Sequence, residues 1–432
     1  MRHVINMTAT GSIGLIAVFL VDVLNLIYIS QLGQHEITAA IGYASTLLFF
    51  HTSIFIGLSI ATTAVVSRAI GAGEMLIAKQ LAGSALYLIT GISTISILLT
   101  YPLLTALLKL LGAQGETAAL AERFCNIVMP SLPLLALGMG LSGLLRAAGD
   151  GKRAMYVTLG AAAATALLDP LFIFTLQLGL DGAAYANICA RLVLAGVGFY
   201  GVFKIHHLCA KPTSAIFLRS AKAFASIGVP AILTNVATPF GNAAVTTAIA
   251  KYGDSAVAGW AVISRLIPMA FAGLFALSGA IGPILGQNLG AQRFDRLRST
   301  MRDSLKLTLI YVLVVWFLLA VCSSLIAQAF DARDLGREVI IFFCIFVAGS
   351  FLFNGSLFVA NAAFNNLGYP LYSTALNWSR ATLGVIPFVW LGGLWYGALG
   401  VIAGYGLGVI FFGAISVWLC FRVLDKLEQQ AA

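Results

Sequence analysis

Residues 38–67 read TAAIGYASTLLFFHTSIFIGLSIATTAVVS, and these 30 residues include no Asp, Glu, Lys or Arg. A helix needs about 20 consecutive apolar residues to cross the hydrocarbon core of a bilayer. The stretch therefore predicts a membrane-spanning helix. Because it is longer than the minimum, we expect that helix to tilt or to protrude beyond the hydrocarbon.

The whole chain has the same character. Hydrophobic residues make up 60% of its 432 residues and charged residues 9%, whereas soluble domains carry roughly 25% charged residues. So few charges cannot cover a water-exposed surface, and so many apolar residues exclude a disordered chain. The sequence also lacks the strands of about ten residues with alternating polarity that mark a membrane β-barrel. The composition predicts an all-α integral membrane protein.

Apolar runs, separated by turn signals or charge clusters, predict twelve spanning helices. Their approximate limits are 7–30, 38–67, 80–108, 119–145, 153–178, 182–204, 221–250, 256–287, 301–328, 338–362, 370–394 and 398–421. With the N-terminus inside, 17 Lys and Arg residues fall in inner segments and 5 in outer segments. The positive-inside rule then places both termini in the cytoplasm of a multi-pass plasma membrane protein, the bacterial inner membrane.

Other sequence features favour plain interpretations. The net charge of +9 follows from the loop topology, so no nucleic-acid partner is expected. Six scattered cysteines are expected to be small buried hydrophobes rather than a metal or redox site. The N-terminus lacks a signal-peptide pattern and reads as a retained first helix. No Walker A sequence is present, so ATP is not the expected energy source.

The second half of the chain resembles the first. SRAIGAGE (67–74) resembles GQNLGAQR (286–293), LDPLFIF (168–174) resembles IPFVWLG (386–392), and three further pairs recur at a similar offset of roughly half the chain. Six helices in each half mean that both halves enter the membrane from the same side, as in transporters built from parallel repeats.

The repeat predicts two pseudo-symmetric six-helix lobes. We expect an N-lobe at 1–205, a cytoplasmic lobe connector at 206–220 and a C-lobe at 221–432. The two histidines of the connector, His206 and His207, are interpreted as part of a solvated loop.

Two carboxylates, Asp22 and Asp169, fall inside predicted helices 1 and 5. A charge at bilayer depth costs about 2.5–3.5 kcal/mol even on mild insertion scales, so each needs a partner, a cavity or a function. The repeat pairs Asp22 with Asn242 and Asp169 with Ile386, so the architecture does not require acids there. This favours a functional role over the alternative, a buried structural hydrogen bond.

The chemistry of such a pair follows from desolvation, which favours the protonated form of a carboxyl group. The pair could hold a proton near neutral pH, or a Na⁺ ion if neutral oxygens complete its shell. Thr165 lies one helical turn before Asp169, and Asn187 of helix 6 is another nearby oxygen ligand. The residues leave the choice between H⁺ and Na⁺ open.

Three arginines also fall inside predicted helices. Arg191 lies one turn from Asn187 and could pair with Asp169, which would weaken a proton-carrier role, or reach a water-filled cavity. For Arg265 and Arg380, carbonyl groups or cavity water are the expected partners.

A substrate cavity would need polar or polarisable side chains from the helices of both halves. Buried His51 could titrate, although a satisfied core histidine is the alternative, and methionines repack readily around varied ligands. The candidates are His51, Met139, Asn235, Asn242, Met269, Asn354 and Asn361.

Several stretches together resemble the multidrug and toxic compound extrusion (MATE) transporters, and the DinF-like prokaryotic branch in particular. The resemblance spans nearly the whole chain, and SRAIGAGE and LDPLFIF are its most specific segments. The stretches are LVDVLNLIYISQLG (20–33), GLSIATTAVVSRAIGAGE (57–74), LLRAAGDGKRAMYV (144–157), LLDPLFIF (167–174) and GLDGAAYANI (179–188).

The resemblance implies twelve helices around a central cavity and export of organic cations or other drugs in exchange for H⁺ or Na⁺. It assigns the cation site to Asp22 and Asp169. Asn187 matches the position of a family threonine in helix 6, and Thr165 stands where an asparagine is usual. Both exchanges keep an oxygen ligand.

This sequence departs from the family in helix 1, where the usual proline is missing and Gly11 and Gly14 stand instead; Pro230 remains in helix 7. Acids that some branches carry in helices 7 and 10 are absent, so coupling is expected to depend on the first lobe.

The sequence thus predicts a monomeric antiporter that exports small organic, cationic compounds by alternating access, without a cofactor other than H⁺ or Na⁺. Two alternatives stay open. A lipid-linked saccharide flippase of related architecture would need a basic cavity. A membrane enzyme would need a cluster of acids, a Ser/His pair or HExxH, and is disfavoured by the two-lobe repeat.

Overall fold

The computed structural model describes residues 2–30 and 35–431, and every regular element in these ranges is helical. The helices are α1 Arg2–Ser30, α2 His35–Gly71, α3 Met75–Thr100, α4 Leu104–Leu110, α5 Gly115–Val128, α6 Leu132–Ala147, α7 Gly151–Pro170, α8 Gly179–Phe199, α9 Ser214–Ile249, α10 Asp254–Ala270, α11 Ala272–Gly290, α12 Phe294–Ala329, α13 Asp334–Phe342, α14 Phe351–Leu367, α15 Pro370–Ser379 and α16 Ile386–Ala431. The all-α fold class is confirmed.

Short 3₁₀ and π segments join or extend these helices. The π segments are Leu171–Thr175, Tyr200–Ile205, Phe343–Val347 and Arg380–Gly384. The predicted turn at 31–36 lies mostly outside the described residues.

The described helices account for the twelve predicted spans. Ten runs are long and apolar enough to cross a membrane, and the α10–α11 pair, bent by 43°, forms one more. The last run, Pro370–Ala431, is divided by the non-helical backbone of Tyr396 and Gly397. It therefore contains two spans, and the total agrees with the sequence prediction.

The backbone itself repeats. Five pairs of residues with left-handed φ angles, which mark the ends of helices, recur at an offset of 218 or 219 residues. The pairs are Gly73 with Gln292, Gly112 with Asp331, Gly115 with Asp334, Gly149 with Gly368, and Gly179 with Gly397. This register corrects one alignment: the counterpart of Asp169 is Pro387 or Phe388 rather than Ile386. None of the three is acidic, so the asymmetry of the carboxylates stands.

The structure divides into two compact units whose boundaries lie inside helices. One runs from Ile13 to Ile232; the other combines the start of α1, up to Ser12, with the chain from Leu233 onward. The predicted lobe limits of 205 and 221 remain predictions.

In the Ile13–Ile232 unit, α2 and α6 pack face to face through small residues. A Cβ on Gly143 of α6 would lie 2.8 Å from the hydroxyl oxygen of Thr63 in α2, and Ser59 Oγ donates to the Met139 carbonyl oxygen at 2.9 Å. Close approach of this kind is how helices associate where no water provides a hydrophobic driving force.

The second unit contains a stack of aromatic side chains. The rings of Phe271 and Phe351 are parallel with centroids 4.2 Å apart, and Phe343 meets Phe351 edge-on at 6.2 Å. Beyond this core, α16 approaches the 380–384 π segment so closely that a Cβ on Gly408 would overlap the Gly384 carbonyl oxygen.

The predicted connector is shorter than its polar sequence suggested, because α9 already begins at Ser214. His206 is not fully solvated: it is half-buried, and its Nε2 lies 2.8 Å from Asp150 Oδ2. Asp150 caps α7 by accepting from the Arg153 backbone N–H at 3.0 Å. Burial raises the pKa of Asp150, but hydrogen bonds from Arg153 and His206 outweigh it, and the pKa is lowered overall.

Candidate functional site

The two intramembrane carboxylates lie at nearly the same depth on neighbouring helices. Gly14 of α1 packs against Thr158 of α7, where a Cβ would overlap the threonine hydroxyl. Further along, Tyr28 meets Phe174 edge-on with ring centroids 6.0 Å apart. Between these contacts, Asp22 lies level with about residue 167, so at 1.5 Å rise per residue it is roughly 3 Å in depth from Asp169.

Asp169 is fully buried, with 0% of its surface exposed. Among the residues that the structure describes, none forms a hydrogen bond to Oδ1 or Oδ2. Buried polar groups in folded proteins are nearly always hydrogen-bonded. The alternative considered above, a structural hydrogen bond that holds this carboxyl group, therefore finds no support.

The local backbone around Asp169 is irregular. Pro170 ends α7, and the chain continues as the π segment 171–175. Proline removes a backbone donor, and π segments inside helices occur frequently at functional sites. The carboxyl group thus lies beside a stretch of helix that is not locked into regular hydrogen bonding.

Asp22 differs from Asp169, because its side chain is exposed. Among the described residues it forms no ion pair. One acid is therefore accessible and the other is sealed, at a similar depth.

Thr165 and Asn187 each retain an oxygen for a ligand. The Thr165 hydroxyl donates to the Ala161 carbonyl oxygen at 3.1 Å, which leaves the hydroxyl lone pairs available. The Asn187 amide nitrogen donates to the Ala183 carbonyl oxygen at 3.1 Å, which leaves Oδ1 as an acceptor.

The depth of Asn187 follows from the antiparallel packing of α8 on α7. A Cβ on Gly182 would lie 2.7 Å from the Phe172 backbone, and Gly160 contacts Val193. Asn187 is therefore level with about residue 167, close to the depth of Asp22 and Asp169.

Arg191 does not pair with Asp169. Its Nη1 donates to the Val128 carbonyl oxygen at 2.8 Å and to Ser131 Oγ at 2.6 Å, and the side chain is buried. Both acceptors lie at the end of α5. The guanidinium is thus held by carbonyl and hydroxyl groups, and Asp169 keeps its freedom to exchange a cation.

The cavity candidates of the first unit are placed differently from each other. His51 is buried, with Nδ1 3.3 Å from the Leu47 carbonyl oxygen one turn earlier. Met139 is half-buried and packs against the core of its unit. Neither is placed beside Asp169 by any contact in the described residues.

In the second unit, Asn361 is the centre of a polar cluster. Its Oδ1 accepts from Ser373 Oγ and from Asn377 Nδ2, both at 2.9 Å. Asn354 is buried with its Oδ1 unpartnered among the described residues.

The remaining candidates of that unit are less enclosed. Asn235 and Asn242 are half-buried on α9, and Met269 is exposed near the end of α10. The structure therefore links Asn361 to polar neighbours on α15 and does not group all seven candidates.

Sequence reasoning treated Arg265 and Arg380 alike, but the structure separates them. Arg265 is exposed. Arg380 is buried, and its Nη2 donates to Thr238 Oγ1 at 3.2 Å. The only sequence signal for this difference was the absence of acidic residues around Arg380.

Comparisons with known proteins agree on one family. The model of the MatE family matches residues 12–171 and 230–391. The FAD transporter of Shewanella oneidensis is 27% identical over 442 aligned residues, which cover 100% of this chain and 96% of that protein. The multidrug export protein MepA of Staphylococcus aureus is 24% identical and covers 90% of this chain and 86% of its own length.

A solved structure shows the same arrangement of helices. The crystal structure of the Vibrio cholerae MATE transporter VcmN in its bent form superposes with a TM-score of 0.93 and 26% sequence identity. The superposition covers 99% of this chain and 98% of that one.

Proposed function

The chain belongs to the MatE family of membrane transporters, not to a family of enzymes, and from that premise we propose that it is a cation-coupled exporter of small organic compounds. We further propose that Asp169, with Asp22, carries the coupling ion. The observation that carries this proposal is the buried Asp169 carboxyl group without a hydrogen-bond partner.

A bare carboxylate cannot stay in such a place. Burying an ion without a partner costs several kcal/mol, so the group stays neutral or binds a cation. Asp22, accessible at nearly the same depth, provides the route by which the cation reaches Asp169. Thr165 and Asn187 offer the neutral oxygens that a Na⁺ ion would need, and a proton needs neither.

The exchange cycle follows from these properties. In the outward-facing state, Asp22 and Asp169 take up H⁺, or alternatively Na⁺, and become neutral. The change in charge alters the packing of α1 on α7 at the level of the π segment, and the substrate leaves. Release of the cation to the cytoplasm restores the acidic site for the next cycle.

The driving force is sufficient for useful export. One unit of pH gradient is worth about 1.4 kcal/mol per proton, which sustains about a tenfold concentration gradient of a monovalent cation in 1:1 exchange. That exchange moves no net charge, so membrane potential adds about 2.3 kcal/mol per 100 mV only when the charges differ.

Two substrate classes have specific support. MepA, a multidrug exporter, favours organic cations. The FAD transporter, whose alignment covers this whole chain, favours a phosphate-bearing nucleotide. The lipid-linked saccharide flippase loses support, because Arg191 is already bound to protein acceptors.

The remaining assignments complete the proposal. We place the exporter in the bacterial inner membrane as a monomer of the DinF-like branch, with both termini in the cytoplasm. No cofactor other than the coupling ion takes part.

The test is transport by the purified protein in proteoliposomes. Imposed pH or Na⁺ gradients would be combined with a panel of cationic dyes and with FAD. We expect uphill movement of at least one compound under one of the gradients, and none with Asp22→Asn. Downhill leakage that ignores both gradients would disprove coupled export.

A further inference from the structure

Arg380 is a buried base in the second unit. It is the first residue of the π segment 380–384, and only 4% of its surface is exposed. Nη2 donates to Thr238 Oγ1 of α9 at 3.2 Å, while Nε is buried without a partner among the described residues. Tyr405 of α16 lies close enough to interact electrostatically with the guanidinium.

No acid of these elements can neutralise this charge. The sequence has no Asp or Glu in α9, and none between Glu338 and Asp425, a range that includes α14, α15 and most of α16. Among the described residues, Arg380 forms no ion pair. A charge buried this way is costly unless a counter-ion is supplied, so the structure calls for an anion from outside the chain.

The position of Arg380 corresponds to the candidate cation site of the first half. At the offset of 218 residues that holds between Gly179 and Gly397, Tyr405 is the counterpart of Asn187. Thr238 lies one helical turn before Asn242, the predicted counterpart of Asp22. The second half therefore has a base on the same set of repeated helices where the first half has acids.

The neighbouring side chains can shape a site for an oxyanion. Asn377, one turn before Arg380, is fixed by bonds to Asn361 Oδ1 at 2.9 Å and to the Ser373 carbonyl oxygen at 2.8 Å. The side chain of Thr238 is exposed, so the guanidinium is reached past its hydroxyl. A guanidinium with hydroxyl donors is the arrangement that binds phosphate or carboxylate groups.

We propose that Arg380, with the Thr238 and Tyr405 hydroxyls, binds an oxyanion, a phosphate or carboxylate group that comes from the exported compound or from a free anion bound beside it. This site rests on the proposed export function and adds to it: the substrates would include compounds with an anionic group, and their recognition would not involve Asp169.

The experiment compares riboflavin with riboflavin 5′-phosphate, which differ by one phosphate group. Binding to the purified, detergent-solubilised protein is followed by flavin fluorescence. We expect the phosphate ester to bind at least about tenfold more tightly, equivalent to 1.4 kcal/mol. Arg380→Met should remove the difference, Arg380→Lys should retain part of it, and Arg265→Met, an exposed control, should retain all of it.

Inorganic phosphate distinguishes the two sources of the anion. If it competes with riboflavin 5′-phosphate and leaves riboflavin unaffected, the anion belongs to the substrate. If it strengthens riboflavin binding, a free anion occupies the site. Both outcomes support the oxyanion site.

Equal affinities for the two flavins in the wild-type protein, or an unchanged preference in Arg380→Met, would overturn the proposal. Thr238→Val, at an exposed position, provides a second test if Arg380→Met does not fold, and it should weaken binding of the ester but not of riboflavin. Because binding is measured without a gradient, this result is independent of whether coupled transport is found.

Discussion

Asp169→Asn is the substitution that most sharply separates a coupling role from a structural one. Asparagine has nearly the same shape as aspartate but cannot release a proton or neutralise a cation. In the structure the Asp169 carboxyl group is fully buried and accepts no hydrogen bond from any described residue. The substitution therefore removes the chemistry without removing a contact.

The expected change in stability is small. Removing one partner of a buried hydrogen bond costs about 1–3 kcal/mol, but here no such bond is lost. We expect the free energy of unfolding, measured by SDS titration in mixed micelles, to change by less than about 1 kcal/mol. Transport, in contrast, should be abolished.

The transport assay uses proteoliposomes with an imposed pH difference of one unit. Wild-type protein should concentrate a monovalent cationic dye about tenfold at 1:1 exchange, and Asp169→Asn should not concentrate it at all. If Na⁺ is the coupling ion, the same contrast appears under a tenfold Na⁺ gradient.

Asp181→Asn is the matched control, because it removes a carboxylate from the same unit. Asp181 forms an ion pair with the exposed Arg123 at the start of α8, and we expect transport to be retained. The reasoning would be refuted if Asp169→Asn transported like wild type, or if it lost several kcal/mol of stability while its folded fraction still coupled.

Three further predictions test the surroundings of the site. Arg191→Met leaves two acceptors without their donor and should cost about 2–4 kcal/mol of stability, with gradient-driven transport by the folded fraction unchanged; uncoupled transport at normal stability would contradict this. Gly408→Ala places a methyl group on the Gly384 carbonyl oxygen and should cost about 3 kcal/mol or more, seen as a lower melting temperature; an unchanged melting temperature would show that the two helices can separate. Asp150→Asn weakens the cap of α7 and should cost about 1 kcal/mol at pH 7. Because the pKa of Asp150 is lowered in the folded state, this contribution is present above its unfolded pKa of about 3.9 and is lost as pH falls through the folded value. The wild-type and Asp150→Asn unfolding curves should therefore converge in acid, and a constant difference would exclude the ion pair as its source.

The architecture could be predicted from the sequence because few physical rules govern it. A bilayer requires long apolar runs, and basic residues collect on the inner side. Both signals survive small errors in the limits of each span. The start of α9 at Ser214 was missed because Arg219 and Lys222 interrupt the apolar pattern, although a helix can continue beyond the hydrocarbon.

The candidate site could be predicted only in part. The scarcity of charge identified Asp22 and Asp169, and the repeat showed that the fold does not require them. The sequence could not reveal that Asp169 lacks a partner, because that depends on the direction in which Arg191 extends. Arg191 lies on α8 near Asn187, but its guanidinium reaches the end of α5.

The same reason explains why Arg380 could not be distinguished from Arg265. Both are single arginines in apolar helices, and periodicity does not give the surroundings of a side chain. The structure shows that one is exposed and the other is buried beside Thr238. Only then does the absence of nearby acids become informative.

The most direct test of the central claim is to measure the cation that leaves when a substrate binds. Purified protein would be mixed with a cationic dye in weakly buffered, Na⁺-free solution to follow protons, and with ²²Na⁺ to follow sodium. The account predicts release of one of these cations from wild type and from Asp181→Asn, and none from Asp169→Asn. Dye binding without release of either cation, or equal release from Asp169→Asn, would contradict it.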